Sequence, residues 1–143
     1  MTFKEWTAVT QIVGVIIVGL WLWRDVGNDP AAFATVNGAA SRLVWLVAIA
    51  IAFNIAAIIV VTILVSIARG RELKDEPADE RDDWVAARAS RNGYVVTSLA
   101  AAVALVMLAF GTDPVLAAFA LFGAPMLGGA TDAVSRLVYY RIG

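Results

Sequence analysis

The chain has 143 residues, 61% hydrophobic and 16% charged, with a mean hydropathy of +0.79. A soluble domain carries about 45–50% apolar and about 25% charged residues, so these proportions exclude an ordinary soluble domain and mark a chain built for lipid. Histidine and cysteine are both absent, which removes disulfides, thiolate metal sites, imidazole catalysis and bis-histidine haem; no cofactor is implied. A net charge of −1 cannot neutralise a row of phosphates, so no direct nucleic-acid role is expected.

Four apolar runs follow one another, at 6–23, 43–68, 94–110 and 115–131. A helix needs about 20 residues to cross the hydrocarbon, with about 17 at the short end. The runs therefore predict an all-α integral membrane four-helix bundle, two helical hairpins in a single domain. The first run is too long for the apolar region of a signal peptide and no small-residue cleavage site follows it, so it is expected to be retained as a span. Nine basic residues lie at the ends of the runs that share a side with both termini, and only Arg24 and Arg42 lie on the other side. The positive-inside rule then places both termini and the segment 69–93 in the cytoplasm, with the chain multi-pass in a bacterial or archaeal cytoplasmic (inner) membrane. Trp6, Tyr94, Tyr139 and Tyr140 fall at the inner interface and Trp21, Trp23 and Trp45 at the outer one. Anchoring at the headgroup level accounts for them.

The connections after runs one and three look alike. Gly27-Asn28-Asp29-Pro30-Ala31-Ala32-Phe33-Ala34 follows the first, while Gly111-Thr112-Asp113-Pro114 and then Ala117-Ala118-Phe119-Ala120 follow the third. In each, Gly can end one helix and Asp can cap the next, whose first residue is Pro. A parallel repeat of two hairpins would produce this pattern, and so would common turn chemistry. The longer first connection leaves room for a short helix over 30–41.

No Asp, Glu, Lys or Arg lies centrally in any run, which speaks against proton relays, voltage sensing and ion-coupled transport. Small multidrug transporters depend on a membrane-embedded Glu, and this chain has none. Asn54 is the deepest polar residue, and its amide needs a partner from a neighbouring helix or a second protomer. Gln11, Thr10, Thr62, Ser66, Thr97 and Ser98 lean toward the cytoplasmic half. Asp132 and Arg136 stand four apart with the acid first, the favourable order for an ion pair on a helix. In the fourth run Pro125 withholds a donor from the Leu121 carbonyl and predicts a bend. Gly123, Gly128 and Gly129 allow close approach of another helix.

Of the 23 charged residues, 13 lie within 69–91, so the polar chemistry is concentrated there. Basic residues rim the segment and acids fill its middle, an arrangement that rests the rims among lipid phosphates. Pro77 breaks any helix continuing from the second run, and Asp79 can cap a new one whose first turn is acidic. On that helix Arg81, Trp84, Val85, Arg88, Arg91 and Val95 share one side. Asp79, Glu80, Asp82, Asp83, Ala86, Ala87 and Ser90 share the other. Trp84 and Arg88 are spaced for a cation–π pair. The acids have no arginine four residues later and are left to face water, another helix or another molecule. Asp79, Asp82 and Asp83 could also hold a divalent ion, although no metal is required by the pattern.

Asp79-Glu80-Arg81-Asp82, then Val85, Arg88-Ala89-Ser90-Arg91 and Gly93-Tyr94 entering an apolar run, resembles an uncharacterised family of small prokaryotic predicted membrane proteins with an Asp-Glu-Arg motif. The resemblance covers about 79–99 and the overall topology, and Trp84 replaces the polar residue expected there. It implies two helical hairpins and, for many members, a neighbouring helix-turn-helix regulator. It implies no established activity.

Two functions follow from these readings. The first is a membrane scaffold or regulatory protein that engages a partner through Asp79, Glu80, Arg81, Asp82, Asp83, Trp84, Arg88 and Arg91. The second is a homo-oligomeric channel or transporter for a neutral or lipid-like solute, using the polar contacts of Asn54, Gln11, Asp132 and Arg136. Membrane lipids and further copies of the chain are expected partners under both, with a cytosolic or membrane protein under the first. An enzyme is not expected without histidine, cysteine or paired buried carboxylates.

Overall fold

The computed structural model describes residues 3–69 and 80–142, and these residues are all-helical. Helix α1 spans Phe3–Asn28, α2 Val36–Arg69, α3 Glu80–Ala109 and α4 Pro114–Ile142, with one 3-10 turn at Pro30–Phe33. All four are long and apolar enough to cross a bilayer, as the four runs predict. Each helix outlasts its run, however. The motif helix and the third run form one element, α3, continuous from Glu80 to Ala109. Helix α4 likewise continues eleven residues past the apolar run 115–131, carrying Asp132 to Ile142. It also remains helical through Pro125.

The turn between α3 and α4 follows from four consecutive residues. Gly111 takes a φ of +73°, a left-handed conformation that glycine adopts without the steric cost of a Cβ. Its N–H meets the Leu108 carbonyl at 3.1 Å and the Thr112 N–H meets the Met107 carbonyl at 2.9 Å, the two bonds of a Schellman ending. Asp113 then accepts from the Val115 N–H at 2.9 Å, with Pro114 at the first helical position. The first connection is less tight. Helix α1 runs through Gly27 instead of ending there. Asp29 caps the 3-10 turn by accepting from the Ala32 N–H at 3.3 Å. The expected short helix over 30–41 is divided, because Thr35 caps α2 through the Gly38 N–H at 3.2 Å.

Helix α4 is the hub, packed most extensively on α3 and also touching α1 and α2. Twelve buried hydrophobic residues form the core among the described residues, and seven are alanine. Small side chains at these positions let the helix backbones approach closely, which supplies van der Waals contact. Ala89 and Gly93 on α3 and Ala124, Gly128 and Ala133 on α4 are all buried, and Gly93 meets Gly128. A Cβ at Gly93 would lie 2.7 Å from the Gly128 carbonyl oxygen, and one at Gly128 would overlap the Thr97 hydroxyl. Gly128 therefore has the close-packing role predicted for it. Gly123 has open space around it, and Gly129 adjoins the Gln11 amide. Only 6% of the most apolar window of α2 is buried, so the rest of the described chain leaves most of that helix uncovered.

The two similar connections meet. Phe33 and Phe119, equivalent in the two Ala-Ala-Phe-Ala stretches, stack with ring centroids 5.7 Å apart and planes at 28°. Arg42 closes the same end, 3.5 Å from Asp25 and 3.0 Å from Asp29.

Candidate functional site

Past their apolar portions α3 and α4 stay paired, and their side chains form a polar head at the end where both helices become hydrophilic. Asp82, Val85, Ala89 and Gly93 recur on one face of α3, with Val85 and Ala89 fully buried. That stripe faces α4. Asp82 thus meets another helix, one of the three settings the sequence leaves open for these acids. Its Oδ1 accepts from the Tyr140 hydroxyl at 2.9 Å. Arg81 donates to the Tyr140 carbonyl at 3.4 Å. Tyr140 lies well beyond the apolar run, where burial and the Asp82 carboxylate push its hydroxyl up to about 12. It therefore remains a protonated donor at neutral pH.

One turn further in, Arg136 donates to both carboxylate oxygens of Asp132, at 2.8 and 3.2 Å. The predicted i,i+4 pair is present, and Ser90 joins it from α3. The Ser90 hydroxyl donates to Asp132 at 3.2 Å and accepts from Arg136 at 3.2 Å. On the other flank of the seam, the Asn92 amide donates to Ser135 at 3.1 Å and to the Tyr139 oxygen at 3.0 Å. Tyr139 also meets the edge of Trp84 with centroids 5.8 Å apart. The predicted Trp84–Arg88 pair forms, with the guanidinium carbon 4.5 Å from the ring centroid.

Tyr139 and Tyr140 are consequently used within the molecule, which corrects their reading as interface anchors alone. Their signal lies in the sequence: Asp132, Ser135, Arg136, Tyr139 and Tyr140 recur at three- and four-residue intervals, one continuous helical face. Asn92 and Ser90 carry no such mark, because their partners lie more than forty residues away.

The seam separates charge. One cleft, about 420 Å³, is lined by Asp82, Asp83, Asp132, Arg136 and Tyr140 together with Thr7 and Gln11 of α1. The other, about 610 Å³, is lined by Arg88, Arg91, Asn92, Val95, Thr131 and Tyr139. Glu80 and Asp83 are exposed. Asp79 lies outside the described residues, as does most of the acidic segment before it. Among the described residues, no group of three or more acidic side chains could hold a metal ion.

Deeper in the bundle, a chamber of about 350 Å³ opens between α1, α2 and α4. Asn54 and Gln11 both line it, opposite Pro125 and Gly129, so the structure gathers the two amides around one space. Gln11 lines the acidic cleft as well. Asp132 and Arg136 sit at that cleft and away from Asn54.

Comparisons with protein-family models, curated proteins and solved structures gave no match to this chain. The fold and the side-chain geometry therefore carry the functional argument.

Proposed function

We propose that the protein is a multi-pass scaffold or regulatory protein of a prokaryotic cytoplasmic membrane, with both termini inside, that presents the polar head of α3 and α4 to a protein partner. The observation that carries this reading is the cross-linking of the head. Asp82–Tyr140, Ser90–Asp132–Arg136 and Asn92–Ser135–Tyr139 tie successive turns of the two helices together. Glu80 and Asp83 remain on the outside of that rigid pair. Side chains held on packed helices lose little freedom on binding, which supports recognition. The mostly exposed α2 supports association with further copies of the chain.

Photo-crosslinking in native membranes tests the proposal, with the reactive group placed at Ala87 beside the exposed acids. A discrete crosslinked protein is expected, lost when Glu80 and Asp83 are replaced by lysine. Asp82 is left intact because its loss would disturb the helix contact. A crosslinking pattern unchanged by the double reversal would sink the proposal.

A second reading, passage of a neutral or lipid-like solute, draws on the chamber that Asn54 and Gln11 share. Neither amide has a hydrogen-bond partner among the described residues, and an unmet amide in hydrocarbon costs several kcal/mol, on the order of 2–7. Liposome flux of small neutral solutes, compared between the natural protein and Asn54→Leu, distinguishes the two readings.

A further inference from the structure

We infer that the basic cleft on the α3/α4 seam is a binding site for the headgroup of an anionic phospholipid. This goes beyond the protein-partner reading and does not rest on it, because it concerns the flank opposite the acidic cleft.

The charge of the cleft is one-sided. Arg88 and Arg91 line it and no carboxylate does; Asp82, Asp83 and Asp132 of the same two helices line the other cleft. Neither arginine has an ion-pair partner among the described residues. The remaining polar lining is neutral, from Asn92, Thr131 and Tyr139. Charge complementarity therefore calls for an anion.

The site is also built in advance. Arg88 is laid over the Trp84 ring at 4.5 Å, and that ring rests against Tyr139 at 5.8 Å. The stack fixes a guanidinium that would otherwise lose rotamer freedom on binding. Asn92 donates to the Tyr139 oxygen at 3.0 Å, which orients the phenol and leaves its own proton unengaged by Asn92. Two guanidinium groups and a phenolic donor then face one space. A phosphodiester accepts hydrogen bonds from such groups, and Arg suits it through paired N–H donors.

The depth of the cleft selects a lipid over a soluble anion. Its lining passes from Arg88 and Arg91 to Val95 and Val96 within two turns of α3, the change from headgroup to acyl region that a phospholipid makes. Tyr94, Val95 and Leu99 continue outward from it as exposed surface. Basic pockets between spanning helices on the cytoplasmic side take anionic headgroups for this reason.

Native mass spectrometry of the full-length protein in mild detergent tests the inference, with titration of palmitoyl-oleoyl phosphatidylglycerol against the matching phosphatidylcholine. A saturable phosphatidylglycerol adduct is expected, tighter than the phosphatidylcholine adduct by about tenfold. Arg88→Gln with Arg91→Gln should abolish that preference, whereas Arg24→Gln at the far end of α1 should keep it. Circular dichroism and gel filtration report whether the double variant is folded. If it is not, Arg91→Gln alone provides the reading, with a reduced preference expected. Equal adducts for the two lipids, or a preference that survives loss of both arginines, would overturn the site. Displacement of phosphatidylglycerol by excess inorganic phosphate would overturn the lipid assignment and leave a soluble-anion site instead.

Discussion

The Tyr140 hydroxyl donates to the Asp82 carboxylate at 2.9 Å, joining the end of α4 to the first turn of α3. Thirty-residue helices can fray at their ends, and this bond acts where fraying would begin. Tyr140→Phe removes the donor and leaves the ring in place. A loss of about 1–2 kcal/mol in detergent stability is expected. Amide exchange in the first two turns of α3 should rise. Unchanged exchange there would show that the bond does not hold the helix end.

The same contact gives a pH dependence. The Tyr140 hydroxyl is raised from 10.0 to about 12, by burial first and by Asp82 second. The folded state therefore prefers the neutral phenol. Its contribution to stability is complete below pH 10 and is lost as the pH rises through about 12. The difference in phenolate absorbance between the natural protein and Tyr140→Phe should show one group titrating near the upper value. A difference curve centred at pH 10.0 would contradict the contact.

The glycines of α3 and α4 should divide by their surroundings. A Cβ at Gly128 would overlap Thr97, and one at Gly93 would approach the Gly128 carbonyl oxygen to 2.7 Å. Alanine at either position must push the helices apart, at a cost of about 1–3 kcal/mol. Gly123 has nothing within 4 Å of the corresponding point, so Gly123→Ala should stabilise by about 0.5–1 kcal/mol through helix propensity. Thermal melts of the three variants check both signs. A destabilised Gly123→Ala beside a neutral Gly128→Ala would refute the packing described for this seam.

Phe33 and Phe119 provide a test of the meeting between the two similar connections. Their 5.7 Å stacking predicts a coupling of about 0.5–1.5 kcal/mol in a double-mutant cycle with leucine. Additive losses would mean that the rings are neighbours without a specific interaction.

The helices were legible in the sequence because length and hydropathy alone decide them. The α3/α4 turn was legible too, since Gly111 and Asp113-Pro114 act on groups within a few residues. The Trp84–Arg88 and Asp132–Arg136 pairs were visible as four-residue spacings for the same reason. The extension of α4 was hidden by a boundary drawn where charge begins, although the helical spacing of Ser135, Tyr139 and Tyr140 continues across it. Helical projection groups Asp82 with the other acids without saying which of them meets a neighbouring helix. Only the position of α4 decides that, and it depends on small residues, Ala89, Gly93 and Gly128, that carry no hydropathy signal. The transport reading groups Asn54 with Gln11, and the structure does the same; that Asp132 and Arg136 lie at a different cleft depends on how α1, α2 and α4 pack.

Asp132 and Arg136 test how the acidic cleft is balanced. Arg136 holds both carboxylate oxygens of Asp132, whose side chain is only 16% exposed. Arg136→Gln would leave that carboxylate with the Ser90 hydroxyl and little water, and should cost about 2 kcal/mol. Asp132→Asn in the same chain removes the stranded charge and should return part of the loss. Arg136→Gln should also lower helix-end protection on α3, since Ser90 loses a donor. Chemical denaturation of the two single variants and the double variant gives the coupling. If the double variant is as unstable as the sum of the singles, the pair contributes no mutual stabilisation.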